Sequence, residues 1–132
     1  MKKQLSKKLQ SKWKLKRPLY IEKTDKRYKR YMGQLKTNGF SDTETWSLDS
    51  VICEFALPRL IRFKEVNNGF PIGLTPEKWD VILDMMIFAL KWNLEHEDEK
   101  YDLLSKKDRE ENWLRHQVGM EFFFKHFRDL WW

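Results

Sequence analysis

The stretch CEFALPRLIRFKE, residues 53–65, sets Glu54, Pro58, Arg59 and Arg62 among residues that otherwise read as buried and apolar. A carboxylate in such surroundings needs a positive partner, because an unpaired charge is costly away from water. Arg62 lies two helical turns from Glu54 on nearly the same side, and Arg59 follows the proline. Two chemistries fit this spacing. In one, the guanidiniums grip a phosphate or carboxylate through paired N–H donors, Glu54 lines the same polar pocket, and an aromatic such as Trp46 offers a base its ring face. In the other, Glu54 and Arg62 form an internal pair while Pro58, which leaves the Glu54 carbonyl without its helical N–H, bends the helix to fit its neighbours.

A second constellation is acidic. Asp80 and Asp84 stand one turn apart, and with Glu54 or Asp49 they would make an oxygen cluster for Mg²⁺. That would suit a magnesium-dependent nucleotide hydrolase. Helical nucleotide pyrophosphohydrolases space their ligands as E-E-x-x-E and E-x-x-D, a pattern absent from this chain, and Asp80 near a helix start is explained by the helix dipole. The three histidines, His96, His116 and His126, lack metal-ligand spacing. The single Cys53 excludes an internal disulfide and a cysteine-based zinc site. No glycine-rich phosphate loop and no G-x-S-x-G occurs. No catalytic residue, metal or cofactor is therefore assigned, and a non-enzymatic role is expected.

Charge supplies the third feature. Residues 1–40 hold 14 Lys/Arg against Glu22 and Asp25, a net +12, while residues 41–132 hold 12 Lys/Arg against 18 Asp/Glu, a net −6. A basic arm thus precedes an acidic body, with the boundary at Asn38–Gly39. In the arm Lys12, Trp13, Lys14, Lys16, Arg17, Arg27 and Arg30 mix cations with an aromatic, the composition that tracks a phosphate backbone and stacks on bases. Its Leu5–Leu9–Trp13 stripe reads as a short helix that docks onto something. The plain alternative is a solubilising tail.

These residues must be held by helices, since no alternating strand pattern and no internal repeat is present. At 132 residues, 41% hydrophobic and with seven Trp and nine Phe, the chain suits one domain with ample core. Beyond Pro18, Thr24 is expected to cap a second short helix with Tyr28, Tyr31, Met32 and Leu35 on one face. Ser41 with Glu44 fits a capping box opening a helix to Glu65, apolar on nearly all sides and therefore central and buried. Thr75–Pro76–Glu77 opens the next helix, with Trp79, Ile82, Leu83, Met86 and Leu90 as its stripe. Ser105 with Asp108 opens the last, whose inward stripe reads Trp113, Met120, Phe124, Phe127 and Trp131. The expected architecture is all-α: a compact domain of three long helices, residues 39–132, behind a basic arm, residues 1–38, of one or two short ones. No apolar run approaches the roughly 20 residues of a membrane span, and MKKQLSKKLQ has no apolar signal core, so a cytoplasmic protein is expected.

The blocks GFSDTETWSLDSVICEFALPRLIRFKE, GLTPEKWDVILDMMIFAL and MEFFFKHFRDLWW resemble a family of small proteins encoded by tailed bacteriophages. That family carries W-[SN]-L-D…F-x-L-P-R-L-x-x-F-K, then L-T-x-E-x-W-D, then an aromatic-rich terminal helix. The resemblance spans residues 39–131 and implies a phage accessory gene acting in an infected cell; it transfers neither fold nor activity. The residues and this provenance together suggest a protein that binds an anionic partner, nucleic acid or a nucleotide signal used in host defence. The alternative is an interaction protein, homo-oligomeric or gripping a host protein through Trp13, Trp131 and Trp132.

Overall fold

The computed structural model describes residues 21–132. The Leu5–Leu9–Trp13 stripe and the arm residues Lys12, Trp13, Lys14, Lys16 and Arg17 lie outside them. Five α-helices follow one another: α1 (Tyr28–Asn38), α2 (Leu48–Val66), α3 (Pro76–Glu95), the single turn α4 (Glu99–Asp102) and α5 (Lys106–Lys125). Short 3-10 turns occupy Asp42–Thr45 and Phe127–Asp129, and no strand occurs among the described residues. The fold is all-α, built on the three long helices that the periodicity predicts.

The helix starts are set by local side-chain chemistry. Thr75 Oγ1 accepts the Lys78 N–H at 3.2 Å, with Pro76 at the first helical position where its missing N–H costs nothing. Ser105 Oγ does the same for the Asp108 N–H at 3.1 Å. The Glu44 carboxylate accepts the Ser41 N–H at 2.8 Å, as in a capping box, but what it opens is the 3-10 turn; the chain re-aims at Trp46–Ser47 before α2 begins. Nor does Thr24 cap α1. That helix starts at Tyr28, where Asp25 accepts the Arg27 N–H at 2.8 Å. Pro58 sits inside α2 without ending it.

The centre of the molecule is α3, not α2. It packs on α2 along one side and on α5 along the other, burying Trp79, Ile82, Leu83, Met86, Ala89 and Leu90. Met86 and, from α2, Leu57 are wholly enclosed, each such burial stabilising by about 1.5–3 kcal/mol. Although α2 is apolar on nearly all sides, only its Cys53–Leu57–Leu60 edge reaches full burial, and Leu48, Ile52 and Phe55 stay exposed. The inward line of α5 also differs from the expected stripe. Trp113, Phe124, Phe127 and Trp131 are exposed and Met120 is only half-buried, whereas Gly119 and Phe123 are buried against α3. The reason is backbone proximity: a Cβ at Gly119 would overlap the Met85 carbonyl oxygen and lie 2.6 Å from Ala89 Cβ. Helices that approach this closely meet along their smallest residues, and a hydrophobicity pattern gives those no weight.

Candidate interaction groove

With α2 and α5 both turning apolar residues away from α3, a groove forms between their outer faces. From α2 come Val51, Ile52, Phe55, Ala56, Arg59, Leu60 and Phe63, spaced three or four apart as one helical face; from the far end come Phe123, Phe124, Phe127 and Leu130. The groove encloses about 730 Å³. Phe124 is 68% exposed, Phe127 61%, Phe55 54% and Ile52 51%. The phenylalanines brace one another: Phe123 meets Phe124 and Phe127 edge-to-face, with centroids 5.8 and 5.9 Å apart, so the aromatic wall is held in shape before anything binds.

Among the described residues, Arg59 is the one charged residue lining the groove. Its Nη1 donates to the Phe55 carbonyl at 2.9 Å, and its guanidinium carbon lies 3.8 Å from the centroid of the Phe55 ring. The cation thus rests over an aromatic wall, with N–H donors besides the one bonded to the Phe55 carbonyl to offer an incoming group.

The other residues singled out in the sequence go elsewhere. Arg62 donates to Glu65 at 3.0 Å; Glu54, half-buried on the same helix, is eight residues back, about 12 Å of helical rise. Trp46 belongs to a patch with α1, edge-on to buried Tyr31 at 5.8 Å with Arg27 5.8 Å from its ring centroid. Arg30 lies 4.8 Å from the Tyr31 ring centroid, and its Nη2 donates to the Tyr31 hydroxyl. Arg27 is clamped by Asp25 at 2.9 Å, and the bonds from its guanidinium and backbone N–H hold the Asp25 carboxyl down at about 2. Asp80 and Asp84 both face Lys64, whose Nζ lies 2.6 Å from Asp84 and 3.3 Å from Asp80. An ammonium therefore stands where the magnesium reading would put the ion, and among the described residues no group of three or more His, Cys, Asp or Glu is set to hold a metal. Cys53 is buried, accepts from Asn93 at 3.4 Å, and has its thiol pKa pushed up by burial and then by Asp49.

The structure thus brings Arg59 into a site and disperses Glu54, Arg62 and Trp46. The groove itself was missed, and one signal pointed to it: three consecutive phenylalanines on a helix, Phe122 to Phe124, span too wide an arc to share one buried face. Compared with known proteins, the chain matches no family model, no curated protein and no solved structure, so the groove's own geometry carries the functional reading.

Proposed function

We propose that the chain is a non-enzymatic interaction module whose α2–α5 groove receives an amphipathic helix bearing an apolar stripe and one carboxylate. The observation that carries this reading is the continuity of Ile52, Phe55, Phe124 and Phe127, all more than half exposed, along one groove. Contiguous apolar surface of this kind marks sites of association. A groove framed by two helices suits a third helix laid into it, and the Arg59 guanidinium, alone among apolar walls, selects a carboxylate at one position. The phage resemblance of residues 39–131 makes a host protein the expected partner.

The test places p-benzoylphenylalanine at position 124, illuminates in a bacterial host lysate, and compares that protein with versions also carrying Phe55→Glu or Arg59→Glu. One discrete adduct is expected, abolished by Phe55→Glu and weakened by Arg59→Glu. Both positions are exposed, so melting should barely move, within about 0.5 kcal/mol. An adduct indifferent to both substitutions would overturn the reading, as would a stable dimer of the isolated protein seated on this face.

A second reading rests on the α1 patch, where Arg27 lies near the Trp46 ring and Arg30 near the Tyr31 ring, both residues of the basic arm. Cations beside an exposed indole suit an anionic partner with bases, a nucleic acid or a nucleotide.

A further inference from the structure

A second cavity, of about 480 Å³, shares no residue with the groove. It lies between the loop that follows α2, residues 67–72, the first turn of α3 at Trp79, and the chain beyond α5 at Asp129, Trp131 and Trp132. Three indoles and the Phe70 ring wall it, and among the described residues Asp129 is the one ionisable side chain that lines it. The carboxylate is built into place: Asp129 Oδ2 lies 2.8 Å from His126 Nδ1, and the His126 ring is buried, tilted against Trp79 at 5.3 Å and stacked on Phe122 at 6.2 Å. Trp131, by contrast, is 77% exposed, and Phe70 is exposed across from it.

The sign of the ligand follows from the walls. Indole and phenyl faces carry negative potential, so they and Asp129 both repel an anion and both attract a cation. A purely apolar ligand would strip water from Asp129 with nothing in return. A compact, strongly hydrated metal ion would leave the rings unused. What satisfies both wall and carboxylate is a cation clothed in carbon. We propose that this cavity binds an alkylated ammonium ion, its methyl or methylene groups against Trp131 and Phe70 and its charge facing Asp129.

The full-length protein is titrated with choline and, in parallel, with the neutral isostere in which a quaternary carbon replaces the nitrogen, following tryptophan fluorescence. Choline should bind saturably and the isostere about tenfold more weakly or not at all, the difference being the cation–aromatic and carboxylate terms alone. Trp131→Leu, at an exposed position, should abolish saturation without altering the melting temperature. Asp129→Asn, which keeps an acceptor for His126, should weaken choline about tenfold. A peptide carrying trimethyllysine separates the sources: tighter binding than choline assigns the cation to a partner's side chain, equal or weaker binding to a free amine. Equal affinity for choline and its isostere, absence of saturation, or choline binding that survives Trp131→Leu overturns the proposal.

Discussion

At Gly119 an added methyl would overlap the Met85 carbonyl oxygen and crowd Ala89 Cβ at 2.6 Å, and the atoms it meets are backbone and a buried Cβ that cannot swing aside. The two helices would have to separate along their main contact. Gly119→Ala should therefore destabilise by about 1–3 kcal/mol, the usual penalty of overpacking, although alanine is the better helix former. Gly33, in the interior of α1, has nothing among the described residues within 4 Å of the same methyl. There Gly→Ala should gain about 0.5–1 kcal/mol through the unfolded chain's lost freedom. Denaturant midpoints report the first, and amide exchange within α1 the second. Equal signs would mean that α3 and α5 are not in the close contact described. Neither outcome is legible in the sequence, where both residues are simply glycines on helices and only the tertiary approach separates them. Arg59 is a partial case of the same kind: a kinked-helix ligand in the sequence and a cation laid on Phe55 in the fold.

Two helix starts are open to reading, since Thr75–Lys78 and Ser105–Asp108 each close within three residues and owe nothing to the rest of the chain, whereas α1 begins at Tyr28 rather than behind Thr24 and Ser41–Glu44 opens only a 3-10 turn. Which side of a helix faces inward is a relation between elements, and there α2 and α5 departed from expectation. The contact of α3 with α5 near its acidic end illustrates the cost. Trp92 packs against two imidazoles, with ring centroids 4.4 Å from both His96 and His116, and among the described residues the buried His116 Nε2 finds no hydrogen-bond partner. Burial, then the neighbouring His96, holds the His116 pKa below its usual value of 6.5. The unfolded chain consequently takes up a proton at higher pH than the folded one. Stability from this group is complete above 6.5 and declines as pH falls through the folded value. His96 Nε2 lies 3.9 Å from Glu97, and Asp102 and Arg109 line the small cavity at Trp92 and His96. The melting temperature should fall between neutral and mildly acidic pH, and His116→Gln should flatten that decline. A variant as acid-sensitive as the parent would move the cause elsewhere.

Across the whole molecule the two ends of the chain carry opposite charge, +12 before residue 41 and −6 after it, and this was legible from composition alone because a charge count needs no geometry. What such a count leaves open is which surface uses the charge. The body offers an apolar groove with one guanidinium and a separate aromatic cavity with one carboxylate, neither of which calls for a dozen cations. Any sequence-independent binding to nucleic acid should therefore reside in the arm, including its Arg27–Arg30 patch. Residues 1–17 hold eight Lys/Arg, and each cation that neutralises a phosphate on double-stranded DNA contributes about −0.9 to the slope of log K against log salt. Salt titrations of a labelled duplex with the full chain and with a version beginning at Pro18 should give a markedly shallower slope for the second. Restoring the charge with unrelated lysines should restore the slope, since counterion release does not depend on order along the arm. Arg27→Ala with Arg30→Ala should lower affinity while changing the slope by two contacts at most, roughly 1.8. If removal of residues 1–17 leaves the slope unchanged, the arm has no part in nucleic-acid binding, and its charge must serve the partner that fills the groove.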